Sequence, residues 1–207
     1  MGRIFTIGVG FIAAAIVSGC STTRSGDTED SASTTSTATS KASIAVSIPP
    51  PPDQKQSSKP VRFDPCLEIG DDLVTRAGFD PSTRERSVGD VVTDLLTLIG
   101  CDFNRTATKD GEKVISGSIS IESSNRTLDD IRTNPERTAF NSDPIRGRAA
   151  VLYRTPSLPG MCSAAVASPD GVLDVSLTVF PGPIAVPQPC DQIRELADVF
   201  TSALDEK

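Results

Sequence analysis

The chain has 207 residues, 20 Lys and Arg against 27 Asp and Glu, a formal charge of −7 and a sequence pI of about 4.6. It has no His, no Trp, one Tyr and five Cys, which rules out a Ser-His-Asp triad, a Cys-His pair and a His-ligated metal centre. The acid excess argues against a nucleic-acid partner, because phosphate neutralisation needs clustered Lys and Arg. Apolar residues make up 37%, below the ~45–50% of a globular domain, so part of the chain is expected not to fold.

Residues 1–19 read as a lipoprotein signal peptide. Arg3 supplies the positive start, and Ile4 to Val17 is an uncharged, mostly apolar run. That run is shorter than the ~20 residues of a spanning helix, and small residues follow it, as at a secretory cleavage site. Val17-Ser18-Gly19-Cys20 resembles the bacterial lipobox, in which the Cys receives a diacylglyceryl group and becomes the first mature residue. Cys20 is therefore the expected lipid-attachment site. Two acyl chains, each contributing ~0.8 kcal/mol per buried methylene, suffice for stable anchoring. The start Met1-Gly2 also fits the loose myristoylation pattern, but that modification belongs to cytosolic proteins without an export signal behind the glycine.

Residues 20–60 form the expected tether. Ser31 to Ser40 holds only Ser, Thr and Ala, and Pro49 to Pro52 is all proline. This composition buries too little apolar surface to offset chain entropy, so it predicts disorder, with the proline run locally stiff. A coil of this length averages ~35 Å end to end. The tether's charges cancel, so the acid excess lies from Val61 onward.

Residues 61–207 are the expected exported domain. Asp64-Pro65 opens a helix whose apolar face is Cys66, Ile69, Leu73 and Ala77, with Gly78 as its stop. Val88, Val91, Val92, Leu95, Leu96 and Ile99 follow a 3.6-residue repeat between Ser87 and Gly100, which predicts a second helix. Ile115, Gly117, Ile119 and Ile121 alternate with serines, a strand with one wet face. Thr127 caps a short helix. Arg148 to Arg154, Met161 to Ala167, and the alternation Leu173, Val175, Leu177, Val179 are three further strands, the last two joined by the turn Pro169-Asp170-Gly171. Ile193, Leu196, Ala197, Phe200 and Leu204 form the stripe of a closing helix. The expectation is an α+β fold: one small domain, mostly antiparallel sheet with helices packed on one face.

With Cys20 acylated, Cys66, Cys101, Cys162 and Cys190 remain. An even number in an exported domain reads as two disulfides with three possible connectivities. The sequential pairs Cys66–Cys101 and Cys162–Cys190 are preferred, because each joins a helix start to a strand or its approach. Each would close a loop of roughly thirty residues and contribute ~3–4 kcal/mol in the chain-entropy model. No C-x-x-C occurs, which argues against a Cys₄ zinc site and against a redox thiol motif.

Several spaced motifs stand behind the lipobox: Phe63-Asp64-Pro65-Cys66, Gly78-Phe79-Asp80-Pro81, Gly100-Cys101-Asp102-Phe103, Arg146-Gly147-Arg148-Ala149-Ala150, Cys162 before a strand, and Pro189-Cys190 opening the last helix. Together they resemble the actinobacterial lipoproteins grouped as domain of unknown function 3558, over about residues 60–205. Many members carry Trp where Phe103 stands, a swap that keeps an aromatic in the core. The resemblance implies a small exported α+β domain, supports the cysteine pairing and supplies no activity.

Other groups read as structural. Asp71-Asp72 and Asp129-Asp130 lack the spaced oxygen ligands of a calcium loop and fit helix caps. Arg146 and Arg148 suit a carboxylate or phosphate, or simply a strand edge. Asn104-Arg105-Thr106 and Asn125-Arg126-Thr127 match the eukaryotic N-glycosylation pattern, of little weight in a bacterial exported protein. No Ser-x-x-Lys and no singled-out carboxylate pair occurs. The sequence therefore predicts no catalytic residues, no metal and no cofactor. It points to a non-enzymatic module held at the outer face of the cell membrane by its lipid, serving an envelope protein. The alternatives are a carrier of a small apolar or anionic ligand between the strand Leu173–Val179 and the helix of Ala197 and Ala203, and a carboxylate-dependent hydrolase.

Overall fold

The computed structural model describes residues 42–205. The signal peptide and Cys20 lie outside them, as does the tether up to residue 41.

Eight strands form one antiparallel sheet: β1 (Asp80–Arg86), β2 (Val91–Val92), β3 (Thr97–Lys109), β4 (Glu112–Ser124), β5 (Thr138–Asn141), β6 (Ala150–Arg154), β7 (Met161–Ser168) and β8 (Gly171–Val179), in the spatial order β1-β3-β4-β8-β7-β6-β5 with β2 also on β3. The helices are α1 (Pro65–Glu68), α2 (Asp71–Arg76), α3 (Leu128–Thr133) and α4 (Pro189–Thr201), the last continued by a 3₁₀ turn to Leu204. One face of the sheet carries the main core. Phe103, Ile119, Ile121, Leu173, Val175, Leu177, Ala164 and Val166 meet Leu73 and Val74 of α2 and Ile193, Leu196, Ala197 and Phe200 of α4. The strands that alternate in sequence place Val151, Tyr153 and Ala165 on the opposite face, where α3 covers them with Ile131. Three of the four helices thus share one face, as the α+β reading expects.

The closing helix, the Thr127-capped helix and the strands β6 to β8 form as their periodicities predict. Pro169-Asp170 is a two-residue hairpin loop, with Ser168 opposite Gly171. Asp170 does more than turn the chain. Its Oδ2 accepts from the amides of Arg62 and Phe63 at 2.9 and 2.8 Å and so fixes the start of the domain.

Four expectations change. The first helix breaks at Ile69-Gly70 into α1 and α2, and a Cβ on Gly70 would stand 2.6 Å from Asp72 Oδ1. The helix expected over Val88–Ile99 is absent. Thr93 closes a turn onto Leu96, β2 pairs with β3, and Val88 and Leu95 face solvent. Branched Val at three of the six periodic positions disfavours helix there, and Gly100 is no stop. It lies inside β3, where an added Cβ would meet Glu122 Cγ and Ser87 Cβ at 3.0 Å. A bulge between Arg105 and Thr106 reverses the alternation of β4, which buries Ser116 and exposes Ile115.

Finally, residues 42–60, expected to be disordered, run along the domain. Ser43 O accepts from Asp71 N at 2.9 Å, Pro49 O from Arg86 Nη2 at 3.0 Å, and Gln54 brackets both main-chain groups of Val61. Composition measures only the apolar surface a segment can bury. These contacts are hydrogen bonds to the main chain of Asp71 and Val61 and to the Arg86 side chain, and Ile48 adds apolar packing against the core.

Candidate functional site

Two places gather groups that packing alone does not require. The first is at the start of α4. Pro189 takes the first helical position, where a missing N–H costs nothing, and puts Cys190 at the second. Cys190 is bonded to Cys162 of β7, with 5.1 Å between their Cα atoms. Arg154, at the end of β6, donates from Nε to Cys190 Sγ at 3.1 Å and lies 5.0 Å over the exposed ring of Phe140. A surface cavity of about 510 Å³ opens here, walled by the loop Thr155–Pro159, Met161, Thr138 and the segment Gln188–Asp191. A second hollow of about 340 Å³ shares Gln188 and Pro189 and is walled by Phe180 to Val186. Between β8 and α4, where the carrier alternative would put a ligand, Leu177, Ile193, Ala197 and Phe200 are all buried.

The other disulfide is of a different kind. Cys66 opens α1, a helix of four residues, and is bonded to Cys101 in β3. Both are fully buried. Cys66 Sγ faces the carbonyl oxygens of Glu85 at 3.4 Å and Gly100 at 3.6 Å.

The second place is the sheet face opposite the main core. In register, Gly100 stands opposite Glu122, Glu122 opposite Asp174, and Asp102 opposite Ser120. Three acids from three strands therefore share a surface with Ser120, Ser163 and Ser176. Asp174 is buried and accepts from Tyr153 Oη at 2.6 Å and from Ser176 Oγ at 3.4 Å. Burial pushes its carboxyl up, partly offset by the tyrosine hydrogen bond. Burial likewise raises Tyr153, with Asp174 adding to it. Glu122 is driven to about 7, first by burial, then by the charges of Asp174 and Asp102. Burial also raises Asp102 and Asp90. Asp90 Oδ1 takes the Gly100 amide at 2.7 Å, while Oδ2 has no hydrogen bond and faces Arg86 Nε at 4.0 Å. Chemically this row accepts hydrogen bonds and holds a proton near neutrality. It lacks a matched acid and nucleophile, because both oxygens of Asp174 are already engaged.

The acids and arginines weighed from sequence have structural partners. Asp71 pairs with buried Arg84 at 2.6 Å, Asp129 with Arg132 at 2.9 Å, and Asp130 completes the α3 capping box. Arg146 and Arg148 both hold Asp205, at 2.9 and 3.0 Å, and tie the β6 approach to the end of α4. Among the described residues no group of three or more His, Cys, Asp or Glu is placed to hold a metal ion, and no helix is long and apolar enough to cross a membrane. The row Asp102, Glu122, Asp174 was not singled out from sequence. Its trace there is Ser118-x-Ser120-x-Glu122 and Asp174-x-Ser176, polar residues at strand spacing. Arg154 leaves no such trace.

A family model described as Protein of unknown function (DUF3558) matches residues 15–202, and the chain belongs to that family. No curated protein and no solved structure matches it.

Proposed function

We propose that this member of the DUF3558 family is an actinobacterial lipoprotein: residues 1–19 direct export, Cys20 carries palmitate-class acyl chains, and the domain stands at the outer face of the cell membrane as a non-enzymatic binding or accessory module. One observation carries the reading. A lipobox-like Val17-Ser18-Gly19-Cys20 precedes a domain whose four remaining cysteines form two disulfides, bonds that persist in oxidising compartments. The acidic face then offers a recognition surface. Glu122 accepts no hydrogen bond from the described residues and has a polar strand surface around it, which suits a basic group of an envelope partner.

Intact-mass spectrometry of the protein extracted from membranes tests the anchor. Loss of the leader, a diacylglyceryl mass on Cys20, and release of a Cys20→Ala variant from the membrane fraction are expected. A mature chain that begins elsewhere without lipid overturns the reading. Crosslinking in membranes tests the module. A reproducible envelope partner, weakened when Glu122→Gln and Asp102→Asn are combined, is expected, and the absence of any partner counts against it.

A further inference from the structure

We propose that the disulfide Cys162–Cys190 is an exchange site for an external dithiol, while Cys66–Cys101 is a fixed staple. The proposal goes beyond the anchoring reading and does not rest on it, since every group it uses is in the described domain.

Access separates the two bonds. Cys66, Cys101 and Cys162 are fully buried, whereas Cys190 is partly exposed and lines the cavity of about 510 Å³. An attacking sulfur must reach the bond, and of these four cysteines Cys190 alone lines the cavity. Electrostatics separates them too. Cys190 is the second residue of a thirteen-residue helix, at the positive end of its dipole, and Arg154 Nε points at its sulfur from 3.1 Å. Both stabilise a thiolate there. Asp191 also lines the cavity and opposes this, but Arg154 is in direct contact. At the staple the polarity is reversed. Cys66 Sγ faces two carbonyl oxygens and α1 is only four residues long, so a thiolate there is disfavoured.

The chemistry follows from this geometry. An incoming thiolate R–S⁻ attacks Cys190 Sγ. The S–S bond to Cys162 breaks and its electron pair passes to Cys162 Sγ, which faces the Tyr153 carbonyl at 3.5 Å and takes a proton from water. The product is a mixed disulfide on Cys190. The second thiol of the dithiol then attacks its own sulfur in that bond, and Cys190 leaves as a thiolate beside Arg154. The protein gains two thiols and the dithiol becomes a disulfide. In the reverse direction Cys190 is the nucleophile and Cys162 resolves. Opening the bond leaves α4 held by Ile193, Leu196, Ala197 and Phe200, all buried against the sheet.

The oxidised full chain is exposed to graded dithiothreitol without denaturant, quenched by alkylation and mapped by peptide mass spectrometry. Cys162–Cys190 should open at least ~10-fold faster than Cys66–Cys101, and glutathione should be trapped on Cys190 rather than Cys162. In the reduced protein Cys190 should alkylate with a pH midpoint below the ordinary thiol range. Arg154→Gln should raise that midpoint by about one pH unit, and Arg154→Lys should restore it in part. Arg154 is exposed, so both variants should fold, which circular dichroism checks. The proposal is overturned if the two bonds open together, if opening needs urea, if glutathione is found on Cys162, or if Arg154→Gln leaves the Cys190 profile in place.

Discussion

Replacing Glu122 by Gln should make the domain more stable, and only above mildly acidic pH. In the folded chain the Glu122 carboxyl is raised from 4.5 to about 7, chiefly by burial and then by the charges of Asp174 and Asp102. Below about 4.5 it is neutral in both folded and unfolded chains and has no effect. Between about 4.5 and 7 the unfolded chain releases the proton while the folded chain keeps it, so stability falls as pH rises. Above about 7 the loss is complete. It amounts to about 3 kcal/mol from the two values, and about 2 kcal/mol once screening by the water that reaches the carboxylate is included. Gln keeps the shape and never ionises. Urea denaturation with the disulfides intact should therefore give equal midpoints for the two proteins at pH 4. At pH 8 the variant should lead by about 2 kcal/mol, or roughly 5–8 °C in Tm for a domain of this size. Asp174, Asp102 and Asp90 are also raised, so the variant's curve should retain part of the wild-type downward slope. A variant no more stable than wild type at pH 8 would refute the reasoning.

Two further substitutions test the packing. Arg84 has a fully buried side chain 2.6 Å from Asp71 Oδ1, 3.2 Å from the Cys66 carbonyl and 4.8 Å over the Phe103 ring. Arg84→Ala should cost about 3–5 kcal/mol, because it leaves Asp71 without its cation and opens space under the ring; denaturant midpoints report it, and a loss under 1 kcal/mol would show that water replaces the pair. Gly171, at φ 143°, has the carbonyl oxygens of Ser124 and Arg126 2.5 Å from where a Cβ would stand. Gly171→Ala should cost about 2–4 kcal/mol through strain in the β7–β8 hairpin, read as a lowered Tm, whereas Gly182→Ala, with nothing within 4 Å of the added carbon, should be near neutral.

The second half of the fold was readable because the face that each element turns to the main core is apolar at one regular spacing. Leu173, Val175 and Leu177 alternate with polar residues, and Ile193, Leu196, Ala197 and Phe200 recur at helical spacing. The region from Val88 to Ile99 misled because its valines and leucines fall at helical spacing although half of them are never buried. Thr97, Leu98 and Ile99 are the buried residues there, and they belong to a strand whose partner lies beyond a tight turn. That turn, Asp110-Gly111 with φ 52° and 84°, is a strong local hairpin signal. The position of Ile115 was unreadable because one extra residue in the ladder inverts the face of everything before it. The acidic row was unreadable for another reason: its members come from β3, β4 and β8, and no local pattern shows that β8 lies beside β4.

The acids of this domain divide by what they do for folding, and the division bears on the recognition surface. Asp205 is held below its ordinary range by Arg146 and Arg148, and Asp130 by the Thr127 cap; both favour the folded chain. Asp102, Glu122 and Asp174 are shifted the other way, so as their charged forms appear they oppose it. The same sheet face carries Ser118, Ser120, Ser163 and Ser176 at equivalent strand positions, so a neutral hydroxyl fits there without that cost. Asp174 is tied to Tyr153, which gives it a packing role. Glu122 has no such tie, yet two neighbouring acids make its ionisation harder. A group whose charged form weakens the fold is the kind of position where stability and function pull apart, and a basic partner docked over Glu122 would reverse the sign of its contribution. Binding of that partner should therefore strengthen as pH rises through 7, while the stability of the free domain declines.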